Sequence, residues 1–78
     1  MKLEIISSEE VLYTGEVNSV TLPGAMGEFT VLRNHASLLA ALTGGTVRYS
    51  CTDGTEGAST IGGGIADVDS NVVTVCVY

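Results

Sequence analysis

Apolar residues come in short runs, and each run is cut by Gly, Asn, Ser or Asp-Gly before a helical period can repeat. With β-branched residues between the breaks, this pattern reads as an all-β chain. Residues 3–7 predict a first strand and Ser8-Glu9-Glu10 a turn. Residues 11–13 predict a second short strand that ends at Gly15, and residues 16–22 a third. In that third strand Val20 and Leu22 share a face while Val17 falls on the other, and a bulge near Asn18-Ser19 restores the phase. Pro23-Gly24 matches the two central positions of a type II turn, which stops the strand. Residues 27–32 alternate weakly and predict a fourth strand, ended by Arg33-Asn34.

The second half is more regular. Val47, Tyr49 and Cys51 alternate with polar residues and are expected to face inward. Asp53-Gly54 signals a type I′ hairpin that returns the chain through Thr55 to Ile61. Gly62-Gly63-Gly64 breaks the pairing. Residues 65–68, a turn at Asp69-Ser70-Asn71 and residues 72–77 form a second hairpin, whose last strand carries Val on both faces and is expected to be central. Residues 36–42 leave helix and buried strand both open: Leu and Ala favour a helix between Asn34 and Gly44, but the run is short enough to be a strand. The sum is an antiparallel sandwich or flattened barrel of eight or nine short strands, in one domain over residues 1–78.

Composition narrows the function classes. A formal charge of −6 with only Lys2, Arg33 and Arg48 as cations excludes the basic patch that nucleic acid needs. No run reaches the roughly 20 apolar residues of a spanning helix, and no signal-peptide core opens the chain. Cys51 and Cys76 are expected to be buried free thiols. Three chemical readings fail. His35 is the only imidazole, and nothing in the sequence fixes a nucleophile and an orienting group around it. One His and two isolated Cys lack metal-ligand spacing. The triple glycine lacks the Lys and Ser/Thr of a phosphate cradle, so backbone crowding explains it better. A swinging-arm carrier is also excluded, because the only lysine is Lys2 and no hairpin tip offers an amine. No cofactor is expected. The stretch from Leu22 to Ala36 gathers the one Pro, two Gly, Asn and His between apolar runs, and reads as a presented docking loop.

Several motifs together carry a family resemblance. Val17-Asn18-Ser19-Val20-Thr21-Leu22-Pro23-Gly24, Gly27-Glu28-Phe29-Thr30-Val31-Leu32, Asn34-His35-Ala36-Ser37-Leu38-Leu39 and Gly63-Gly64-Ile65-Ala66-Asp67-Val68 occur in the order and spacing of one family. In this the chain resembles, over essentially its whole length, the N-terminal β-sandwich domain of the epsilon subunit of the F-type proton-translocating ATP synthase. The resemblance implies a non-catalytic rotor subunit, with about ten short strands and with residues 36–42 in a strand. It would sit as one copy at the cytoplasmic face of a bacterial inner membrane, without inserting into it. The implied partners are the gamma subunit and the membrane c-ring, with Met26, Gly27 and Glu28 toward the c-ring and His35 and Ala40 toward gamma. Relatives usually carry Pro at the positions of Arg33 and Ser37, and Ser at that of Gly62. The C-terminal helical hairpin of typical relatives, which carries their inhibitory function, has no counterpart in residues 1–78. The alternative is a free-standing sandwich that binds a ligand or a protein.

Overall fold

A computed structural model describes residues 1–78 as eight strands and no helix. These are β1 (Lys2–Ile6), β2 (Val11–Gly24), β3 (Gly27–Leu32), β4 (Leu38–Leu42), β5 (Gly45–Cys51), β6 (Glu56–Ile61), β7 (Gly64–Asp69) and β8 (Val72–Val77). One layer carries β4, β7, β8, β1 and the first half of β2, and the other carries β3, the second half of β2, β5 and β6. Residues 11–13 and 16–22, expected as two strands, form the single β2 that serves both layers, so the nine strands that the pattern allows become eight. Gly15 does not interrupt it; the Tyr13 hydroxyl lies 2.4 Å from where a Cβ on Gly15 would be, so close approach and not chain reversal explains that glycine.

The phase problem in β2 is solved as the pattern predicts. Val17 pairs with Cys51 and Ser19 with Ser50, leaving Asn18 as the extra residue of a bulge. Val17, Val20 and Leu22 are consequently all fully buried. They join Leu3 and Ile5 of β1, Val31 of β3, Val47 of β5, Ala66 and Val68 of β7 and Val73 and Val75 of β8 in one core. No polar side chain is buried in it. β8 is central, hydrogen-bonded to β7 on one side and, in parallel, to β1 on the other, so the sandwich is not purely antiparallel.

Three local expectations are corrected. Pro23-Gly24 is not a turn: Pro23 pairs with Glu28 and Gly24 with Gly27, so the reversal falls on Ala25-Met26. Proline is tolerated there because its carbonyl, which accepts from Thr43 at 2.9 Å, is the group the neighbouring backbone needs. Asp53-Gly54 is not type I′, because only Gly54 has positive φ, at 92°. The Asp53 carboxylate instead accepts from Thr55 N–H and Oγ1, at 3.0 and 2.7 Å, which favours a longer loop. The type I′ geometry occurs at Ser70-Asn71, with φ of 50° and 62°, between β7 and β8. Residues 38–42 form a strand, as the resemblance implies, but a half-buried one: Leu42 is buried while Leu39 is 73% exposed.

The two thiols are free, yet neither is fully buried. Cys76 faces outward on β8. Cys51 lies under an aromatic pair in which the Tyr13 and Tyr49 rings join the two layers with centroids 4.4 Å apart.

Candidate functional site

β3 separates the two ends of the candidate docking stretch. Its six residues extend the chain by roughly 17 Å at about 3.3 Å per residue. At one end, Ala25 and Met26 form the two-residue tip of the β2–β3 hairpin, and the Met26 side chain is entirely in solvent. Gly27 follows with φ of 125°, the geometry that lets the chain re-enter the ladder. Gly24 is needed for space: a Cβ there would stand 2.5 Å from the Gly27 carbonyl oxygen and 2.9 Å from the Phe29 ring.

β4 returns beside this tip. The Ala25 N–H donates to the Ala41 carbonyl at 2.9 Å, which places Ala40 near Met26 and Gly27 around a shallow, mostly apolar depression of about 270 Å³ floored by Phe29. Ala40 itself points to the core face, opposite buried Ala66, while Leu39 and Ala41 point outward. The structure therefore groups Ala40 with the hairpin tip and not with His35.

Glu28 lies on the outer face of the second layer, apart from this depression. It is ion-paired to Arg48, Oε2 to guanidinium at 2.9 Å, and both side chains are more than half exposed. Sequence reasoning missed this partner, because Arg48 comes beside Glu28 only when β3 and β5 flank β2. The same face holds a broad polar depression of about 500 Å³ lined by Ser19, Thr21, Arg48 and Glu56 among others; it is open and holds no buried polar group.

At the other end of β3 lies the loop of residues 33–37. Its His35 is exposed, and Nδ1 donates to the Ala36 carbonyl at 2.7 Å, since a carbonyl can only accept. The loop is tied down on three sides. The Arg33 guanidinium donates to the Asn18 side-chain oxygen in the β2 bulge, and Ser37 Oγ donates to Asp69 at 2.7 Å. Asn34 N–H donates to Asn71 Oδ1 at 2.7 Å, and Asn71 Nδ2 donates back to Asn34 Oδ1 at 3.0 Å. Arg33 is thus engaged, and its cation is not free beside His35.

A further surface was not singled out from sequence. Register aligns Ala41, Ile65, Cys76, Ile6 and Val11 across the outer face of the first layer, one residue from each strand. Ile65 is 47% and Val11 58% exposed, and Leu39 extends the row. The signal was present in residues 64–69, where Ile65 and Ala66 are apolar on opposite faces, but only the strand order shows that such residues line up. Isolated exposed apolar residues are ordinary; a row spanning a sheet marks an interaction surface. No group of His, Cys, Asp and Glu in the structure could hold a metal ion.

Comparison with known proteins accounts for this combination. The family model for the ATP synthase delta/epsilon chain β-sandwich domain matches residues 1–78. The ATP synthase epsilon chain of Chlorobaculum tepidum is 45% identical over 69 residues, covering 88% of this chain and 78% of that one. The epsilon chain of Chlorobium limicola is 43% identical over 70 residues, covering 90% and 80%. In the cryo-EM structure of the Euglena gracilis mitochondrial ATP synthase, which contains OSCP, F1 and the c-ring, one chain superposes with a TM-score of 0.89 at 26% identity. That alignment covers 96% of this chain and 48% of the Euglena chain. On this evidence the chain belongs to the ATP synthase delta/epsilon chain family and has the fold of its β-sandwich domain.

Proposed function

We propose that the protein is a central-stalk subunit of an F-type ATP synthase. It joins the gamma subunit to the membrane c-ring, so that rotation driven by proton flow reaches the sites of ATP synthesis. It catalyses nothing itself. The observation that carries this reading is the family match over residues 1–78, supported by the superposition of 96% of this chain on part of a chain in an assembly containing a c-ring. The subunit itself is peripheral, on the cytoplasmic side of a bacterial inner membrane.

Two surfaces suit two partners. The apolar row on β4, β7, β8, β1 and β2 suits a protein face that stays bound and is assigned to gamma, as is the loop that carries His35, with Asp67, Thr74 and Glu4 between the two on that face. The exposed tip at Ala25 and Met26, with Gly27 and the nearby Glu28, is small and projecting, and is assigned to the polar loops of the c-ring. Ala40 lies beside that tip and supports it from the core side. Torque transfer needs a body that does not shear, and a core without buried polar groups, closed by sheet hydrogen bonds, provides one.

Co-expression with a gamma subunit tests this. The unaltered chain copurifies with gamma, whereas Leu39→Glu combined with Ile65→Glu does not, although circular dichroism shows it folded. Thr60→Glu, on the other layer, leaves copurification intact. Absence of any complex with the unaltered chain overturns the stalk role.

A further inference from the structure

We propose that the reciprocal amide pair of Asn34 and Asn71 presets the geometry of the His35 loop for docking, making Asn71 a positioning residue for a contact it does not itself make. This rests on the reading that the loop faces gamma. The loop contains no Pro or Gly, so nothing in its own covalent structure restricts it. Restraint comes instead from 37 positions away.

Asn34 and Asn71 both adopt left-handed backbone, with φ of 61° and 62°. Asn tolerates this better than other residues with a side chain. In that conformation each turns its carboxamide toward the other, and two hydrogen bonds close between them, at 2.7 and 3.0 Å. Asn71 is itself held. It occupies the tight β7–β8 turn, and its carbonyl accepts from Lys2 N–H at 3.0 Å at the start of β1. The loop is thereby referenced to β8, the central strand of the first layer, on whose outer face the apolar row lies.

The remaining contacts act in the same direction. Ser37 to Asp69 anchors the loop's exit to the same turn, and Arg33 to Asn18 anchors its entry to the β2 bulge. Between these ties lie His35 and Ala36, both exposed, with the ring's Nδ1 already engaged by the Ala36 carbonyl. A partner meets a loop already in its bound shape. A preorganised loop loses little freedom on binding, and that gain appears mainly as slower dissociation.

Glycine at either position keeps the left-handed backbone; Asn71→Gly removes both bonds, whereas Asn34→Gly removes only the one that Asn71 Nδ2 donates and leaves the bond from the Asn34 N–H. In the free protein, the Asn34 amide proton of Asn71→Gly should exchange about tenfold faster or more, with the urea midpoint nearly unchanged. Against a gamma-containing F1 assembly lacking this chain, Asn71→Gly should dissociate about tenfold faster and Asn34→Gly by a smaller factor, with association within about twofold for both. The double variant should be no worse than Asn71→Gly alone, because that change already removes both bonds. Unchanged exchange in Asn71→Gly overturns the clasp. Faster exchange with unchanged dissociation overturns its docking role. Unchanged dissociation in His35→Ala as well places the loop outside the interface, a failure of the gamma assignment. Failure of the unaltered chain to bind removes the stalk reading and the docking role together, while the exchange result still decides whether the pair orders the loop.

Discussion

Gly62, Gly63 and Gly64 are three identical residues with three different roles. A Cβ on Gly64 would stand 2.1 Å from the Cys76 carbonyl oxygen, on the strand opposite, with no flexible atom to yield. Gly63 has φ of 140°, and a Cβ there would meet the Tyr78 ring at 2.9 Å. Gly62 has neither constraint, its nearest neighbour being the Tyr78 carbonyl oxygen at 3.6 Å. Gly62→Ala should therefore be neutral or stabilise by about 0.5–1 kcal/mol through the unfolded chain, and Gly64→Ala should cost about 3 kcal/mol or more in urea unfolding. Two residues tie stability to pH. Hydrogen bonds from Thr55 hold the Asp53 carboxyl below its ordinary 3.8. A depressed folded pKa means that this contribution is complete above pH 3.8 and lost as pH falls through the lower folded value. Asp53→Asn should flatten the acid limb of a stability-versus-pH curve. The hydrogen bond with Cys51, helped by burial, pushes Tyr13 up to about 12 from 10.0. Its contribution is complete below pH 10.0 and fades toward about 12, a loss that Tyr13→Phe should abolish.

Among the elements, β2 shows most clearly what a sequence pattern can disclose. The misplaced phase of Val17 against Val20 and Leu22 has one economical solution, an extra residue, and the structure has it at Asn18. Deleting Asn18 should turn Val17 and the strand before it to the wrong face. Folding should fail, seen as loss of the cooperative thermal transition, whereas Asn18→Ala should remove only the bond from Arg33 and cost about 1 kcal/mol. Turns were less legible. Pro23-Gly24 and Asp53-Gly54 both carry strong dipeptide signals, yet the reversals fall at Ala25-Met26 and in the longer loop through Thr55. Each signal reports what a dipeptide tolerates, while register, decided by which residues must be buried, selects where the chain turns. Residues 36–42 were undecided for a similar reason: Leu-Leu-Ala-Ala-Leu suits a helix in isolation, and only an available edge of β7 makes it β4.

Over the whole molecule, the candidate contacts sort by face. Glu28 is the informative case, because its charge is already matched by Arg48. An exposed pair of this kind contributes at most about 1 kcal/mol, so Glu28→Arg should fold while reversing the charge at the end proposed to meet the c-ring. ATP-driven proton pumping in membrane vesicles should fall in Glu28→Arg and remain intact in Arg48→Gln, which frees Glu28 without removing it. Equal pumping in both would take Glu28 out of the c-ring contact. The loop of residues 33–37 makes the complementary point. Lacking the usual prolines, it looks loose in sequence, yet it is fastened from Asn18, Asp69 and Asn71.

By itself the sequence determined what depends on neighbours along the chain: strand character, the bulge, the central place of β8, and the family. Alternation and turn chemistry are local, and a family signature is a matter of order and spacing. Only the tertiary structure decided that β2 serves both layers, that Glu28 meets Arg48, that Ala40 stands beside Met26, and that an apolar row crosses five strands. Each of those depends on which strands lie side by side. Strand order is chosen by the burial of the whole core at once, so no local window of sequence contains it.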